Sequence, residues 1–127
     1  MTNFVVDSWA WVEYLSGTER GLKLKNIMTK DNNLFTSIVS FAEVVSAARR
    51  KNMDINTIED AIVSSSEIAN INIEISKNSG IFHSEMRKTI GDFGLGDAFV
   101  VITARQLDAK ILTGDPHFKG MKEAVLI

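Results

Sequence analysis

The sequence contains no cysteine, which excludes disulfides, zinc–thiolate centres and cysteine nucleophiles. Proline occurs once, at Pro116, and there is no low-complexity tract, linker or internal repeat. No apolar run approaches the ~20 residues that span a bilayer; the longest strongly apolar stretch is Ala98 to Ile102. Met1 to Val6 lacks the basic start and the apolar length of a secretory signal. The expectation is a cytoplasmic protein with no membrane partner. Excess positive charge is missing too: 14 Lys and Arg stand against 16 Asp and Glu, a net charge of −2. That argues against a nonspecific nucleic-acid binder. It does not exclude a nuclease, because a carboxylate-rich site lowers net charge and a bound divalent cation restores attraction to phosphate. Histidine is limited to His83 and His117, and no serine or cysteine motif completes a hydrolytic triad. No G-x-x-x-x-G-K-[ST] phosphate loop is present.

What is present is an ordinary globular chain. Its 127 residues, 45% hydrophobic and 24% charged, suit a single domain over 1–127 that buries a core without staples. Asn3 to Val6 reads as a first strand that ends at Asp7-Ser8, both good helix caps. Helices are expected over Trp9 to Leu15 and Glu19 to Thr29, with a turn at Asn32-Asn33 and a short strand over Leu34 to Thr36. Phe41, Val44, Val45 and Ala48 recur at helical spacing within Ser37 to Lys51. Ile58, Ala61, Ile62 and Ile68 mark another helix. Asn72 to Ile75 alternates polar and apolar residues, which suits a strand. Ile75, Ser79, Phe82, Met86 and Ile90 give a further helical stripe. After the Gly91 to Gly96 loop, Asp97 to Asp108 is apolar on most sides, as a buried helix is. Ile111 to Thr113 and Ala124 to Ile127 read as strands. Strands alternating with helices imply an α/β fold with a mainly parallel sheet, whose sites form at the carboxyl ends of the strands.

Three aspartates occupy such places. Asp7 follows the first strand, Asp115 follows Ile111 to Thr113, and Asp97 opens the buried helix. Glu43 lies on its helix beside the small residues Ser40 and Ala47, away from Phe41 and Val45. Singly, each has a plainer reading. Asp7 and Asp97 are helix caps, Asp115 is a cap before proline, and Glu43 is a solvated helix residue. Spacing alone does not bring them together. Jointly, however, four carboxylates in one pocket repel each other, and a divalent cation removes that repulsion. Magnesium and manganese take oxygen ligands, activate water and offset phosphate charge without needing histidine. His117 reads as a surface residue and His83 as structural. The three loop glycines read as a flexible loop. Trp9 and Trp11 suit core or dimer packing better than base stacking. Arg49, Arg50 and Lys51 favour the macrodipole at a helix end, with a contact to RNA or a partner as the alternative.

These residues resemble a known family. Four segments, in order, are similar to those of PIN-domain proteins of the VapC type, toxins of type II toxin–antitoxin pairs. They are Phe4 to Leu15, Thr36 to Val44, Leu95 to Ala104 and Ile111 to Phe118. The resemblance covers essentially the whole chain. It implies a three-layer α/β/α fold with a central, mainly parallel sheet of about four or five strands. It implies that Asp7, Glu43, Asp97 and Asp115 are the catalytic acids, with Asp7, Asp97 and Asp115 holding Mg²⁺ or Mn²⁺. Ser8 and Thr113 would support them by hydrogen bonds, while Asp92 is an additional carboxylate without an assigned use. The implied reaction is metal-dependent cleavage of an RNA phosphodiester to a 5′-phosphate and a 3′-hydroxyl. The implied partners are a second copy of the chain, a cognate antitoxin, and operator DNA reached only through the antitoxin complex.

Two other readings compete. A noncatalytic PIN-like domain would bind RNA or protein without cleavage, which four intact acids argue against. A phosphorylatable receiver domain is also a small α/β protein, but it needs paired acids at the first strand and an acceptor aspartate ending a central strand. Val6-Asp7-Ser8 offers one acid.

Overall fold

A computed structural model of the chain describes residues 2–127. Five strands form one sheet in the order β3-β2-β1-β4-β5, parallel at every pairing. β1 (Asn3–Val6) is central and is followed by α1 (Ser8–Leu15) and α2 (Glu19–Met28). β2 (Asn33–Ser37) leads into α3 (Ile38–Arg50) and α4 (Ile55–Ser65), and β3 (Glu67–Ala69) into α5 (Ile73–Met86) and α6 (Leu95–Gln106). β4 (Lys110–Thr113) reaches β5 (Ala124–Leu126) through a short 3₁₀ turn at Pro116–Phe118.

The layering follows from side-chain alternation along the central strands. Phe4 and Val6 of β1 and Leu112 of β4 point into one core with Trp11, Leu24, Val44, Ile58 and Ile62. Val5 and Ile111 point the other way, against Val100, Val101, Ala104 and Phe118. Successive residues of a strand face opposite sides, so a sheet covered on both faces needs apolar residues at every position. The result is the expected α/β/α sandwich.

The sheet order reverses at β1. The chain first builds outward through β2 and β3, then returns to place β4 on the other side of β1. The carboxyl ends of β1 and β4 therefore border the crevice where ligands of open parallel sheets bind.

Three sequence expectations are corrected. Asn72 to Ile75 is not a strand: Asn72 caps α5, its Oδ1 accepting the Ile75 N–H at 2.8 Å. The neighbouring strand is Glu67–Ala69 instead, and Ile68 pairs with Thr36 there rather than extending the α4 stripe. The third strand is three residues long, too short to leave an alternation signal. The buried helix also starts earlier than Asp97. Gly94 is its N-cap and Asp97 lies in its first turn.

Candidate metal centre

Asp7 occupies the N-cap of α1, yet its side chain makes no capping bond. It turns instead to Thr113 at the end of β4, whose hydroxyl donates to Asp7 Oδ2 at 2.8 Å. The same Thr113 oxygen accepts the Asp115 N–H at 3.0 Å. One buried hydroxyl thus ties together the ends of the two central strands. The plain capping reading fails for Asp7. It holds in part for Asp115, whose Oδ1 accepts the His117 N–H at 2.9 Å and opens the 3₁₀ turn. Asp97 reaches back across its first turn to accept the Gly94 N–H at 2.9 Å.

Glu43 arrives from α3. As a residue it is exposed, but its carboxylate presses on the backbone of α6. A Cβ built on Gly96 would lie 2.5 Å from Glu43 Oε2. Gly96 is what lets α3 and α6 approach here. Gly114 does the same for Trp9, whose ring fills the space a side chain would need.

A groove of about 410 Å³ opens over this region, lined by Ser8, Trp9, Glu43, Arg50, Asp97 and Asp115 among others. The Arg20 guanidinium sits 5.6 Å from the centre of the Trp9 ring. Trp11, by contrast, is fully buried and donates its indole N–H to Thr36 Oγ1 at 3.0 Å, a core role.

The charges are poorly compensated. Burial pushes the Asp7 carboxyl up from 3.8 to about 7. The Thr113 hydrogen bond opposes that rise, and the charges of Asp97, Glu43 and Asp115 add to it. Glu43 is raised as well, by desolvation first, against a hydrogen bond with Ser8, and then by Asp97 and Asp115.

The sequence suggests a surface residue at His117, and the structure corrects this. Its Nδ1 lies 3.0 Å from Asp97 Oδ2 and 3.5 Å from Asp115 Oδ1. Its Nε2 lies 3.1 Å from Asp92 Oδ1. Partial burial alone would lower the imidazole, but the hydrogen bonds to Asp97 and Asp92 and the charge of Asp115 outweigh it and raise the pKa. The available signal was its position two residues after a strand-end aspartate, where a single 3₁₀ turn folds the ring back over the acid.

The donor set fits a divalent cation. Asp97, Asp115 and His117 each offer a ligand atom, all within 4.8 Å of one another. Asp7 and Glu43 stand outside that trio, and the charges of Asp97 and Asp115 help to raise both. Carboxylate crowding of this kind is what a hard cation relieves.

Comparison with known proteins bears on what this arrangement is. Residues 4–124 match the family model of the PIN domain. No curated protein matches the chain. Among solved structures, a toxin–antitoxin complex from Klebsiella pneumoniae aligns with a TM-score of 0.75 at 20% identity, over 95% of this chain and 94% of that one. VapC20 of Mycobacterium tuberculosis, a sarcin–ricin loop cleaving toxin, aligns with a TM-score of 0.78 at 14% identity, over 98% of both chains. DNA-bound VapBC from Salmonella typhimurium gives 0.71 at 14% identity, over 100% and 98%. At these identities the likeness is one of fold.

Proposed function

The chain belongs to the PIN-domain family, and from that premise we propose that it is a metal-dependent endoribonuclease, the VapC-type toxin of a toxin–antitoxin pair. One observation carries the reading. Asp7, Glu43, Asp97 and Asp115 come from four separate parts of the chain to the carboxyl edge of the sheet, where His117 pairs with Asp97 and Asp115 while Asp7 and Glu43 are raised by burial and by their acidic neighbours. A fold tolerates such a cluster where a cation belongs.

Asp7, Asp97 and Asp115 would hold Mg²⁺ or Mn²⁺, directly or through water. A bound cation of this kind lowers the pKa of a water ligand and offsets charge on the phosphate. Glu43, held by Ser8, accepts the proton of the attacking water or orients it. Thr113 fixes Asp7 and the Asp115 backbone in one geometry. Attack of water on phosphorus forms a P–O bond and breaks the bond to O3′. The departing O3′ takes a proton, leaving a 3′-hydroxyl on one fragment and a 5′-phosphate on the other. Arg50 and Arg20 at the groove supply the local positive charge that the chain as a whole lacks.

The whole chain, 1–127, would act as one PIN-like unit in the cytoplasm. It would work as a homodimer, inhibited by a cognate antitoxin and reaching operator DNA only in that complex. The solved toxin–antitoxin complex and DNA-bound VapBC of similar fold support the antitoxin and operator DNA by analogy of fold.

Purified protein incubated with total and structured RNA and Mg²⁺ or Mn²⁺ should yield fragments with 5′-phosphate ends. EDTA and Asp97→Asn should each abolish them. Cleavage that survives Asp97→Asn would refute the site. Metal binding without cleavage of any RNA would favour the noncatalytic domain.

A further inference from the structure

We infer that His117 is a nitrogen ligand of the cation at the carboxylate cluster, oriented by Asp92, and that it turns the site's preference from Mg²⁺ toward Mn²⁺. This rests on the reading above that the cluster binds a divalent ion.

In a six-coordinate shell with bonds of about 2.1 Å, neighbouring ligand atoms lie about 3 Å apart. His117 Nδ1 is 3.0 Å from Asp97 Oδ2 and 3.5 Å from Asp115 Oδ1. His117 Nδ1 thus stands from each aspartate about as far as one ligand atom stands from its neighbour in such a shell.

The second ring nitrogen gives an independent indication. Nε2 faces Asp92 Oδ1 at 3.1 Å. With a cation in place of the Nδ1 proton that now faces Asp97, the imidazole would keep its Nε2 proton on Asp92 and offer the Nδ1 lone pair to the ion. A histidine that binds a metal commonly donates its other N–H to a carboxylate, which fixes the tautomer and raises ligand basicity. The Asp92 side chain is 86% exposed, and the ring is its hydrogen-bond partner.

The ring is also held in place. The His117 N–H is bound by Asp115 Oδ1, and its ring lies 6.0 Å from that of Phe93, which is fully buried. Phe118, the next residue, is anchored in the core. A preset imidazole favours ions that accept nitrogen. Affinity rises from Mn²⁺ along the first transition row, whereas Mg²⁺ prefers oxygen and keeps its waters.

The test uses the full chain loaded with Mn²⁺. Pulsed electron paramagnetic resonance should detect ¹⁴N coupling of an imidazole to the ion, and His117→Gln should remove it. By calorimetry, His117→Gln should weaken Mn²⁺ binding by about 10–100-fold and Mg²⁺ binding much less, with Asp92→Asn giving the smaller part of the same loss. Should His117→Gln fail to fold, the wild-type spectrum and Asp92→Asn decide the matter. An oxygen-only Mn²⁺ shell in a protein that cleaves RNA overturns this inference and leaves the nuclease reading standing. Nitrogen coupling in a protein that cleaves no RNA supports this inference and overturns that reading.

Discussion

The two edges of the sheet are made from the same strands and differ in how their charges are treated. At the amino edge, clefts of about 470 and 460 Å³ open beside Asn33 and Lys110. Both exceed the groove of about 410 Å³ at the carboxyl edge. Yet the amino-edge groups satisfy one another. Asn33 donates to Asn3 at 2.9 Å, Asn3 donates to the Leu107 carbonyl at 3.2 Å, and Arg105 pairs with Glu123 at 2.6 Å. The carboxyl edge gathers acids whose charges oppose each other and buries one of them. What sets the proposed site apart is not cleft size but a buried acid raised by its neighbours, the kind of cost that clusters at functional sites.

The sharpest way to break this contrast is to neutralise one acid on each edge. Asp7→Asn should reduce RNA cleavage by more than about a hundredfold, since even partners of metal ligands are worth 10–100-fold. The same change should raise the melting temperature of metal-free protein at neutral pH by roughly 5 °C, about 1 kcal/mol in a domain of this size. Its carboxamide oxygen can still accept the Thr113 hydroxyl. Glu123→Gln should do the reverse, leaving cleavage unchanged and costing at most about 1 kcal/mol in urea denaturation. Equal effects from both changes would dissolve the distinction between the edges.

Thr113→Val asks whether the carboxyl edge depends on its one bridging hydroxyl. It keeps the side-chain shape but leaves Asp7 and the Asp115 N–H without their shared partner. We expect a loss of about 1–3 kcal/mol in stability and of about 10–100-fold in activity. Gly96→Ala is the narrowest probe. Its methyl group would meet the Glu43 carboxylate. Cleavage should fall severalfold, with a stability cost at the low end of the ~1–3 kcal/mol typical of overpacking, because the neighbour is a side-chain tip.

Much of this was legible in the sequence because it is local. Strand ends at Asp7 and Asp115 follow from short apolar runs, and α3 from a strong helical stripe. The four acids could be named because the segments around them resemble a family. Their meeting could not be read from spacing, since it depends on a crossover that brings Thr113 to Asp7 across 106 residues. Asn72 was misread because a cap followed by isoleucines looks like alternation. His117 was missed because a lone histidine has a plain surface reading, and only the turn set by the Asp115 cap folds it over the cluster. Asp92 acquired a partner for the same reason.

We hold that the carboxyl edge bears a charge burden that a cation relieves, and the pH dependence of stability is the decisive readout. Unfolded Asp7 gives up its proton near 3.8, and folded Asp7 keeps it to about 7. Between those values the folded state holds the extra proton, so this contribution is complete below the lower value and lost as pH rises through the upper one. The raised pKa of Glu43 acts in the same direction. Melting temperatures of metal-free protein should therefore fall between about pH 4 and about pH 7. Mn²⁺ should stabilise more at the higher pH, and Asp7→Asn should make the metal-free profile shallower, with Glu43 and His117 supplying what slope remains. A metal-free profile that is flat or rises over that range, with no added stabilisation by Mn²⁺, would contradict the claim.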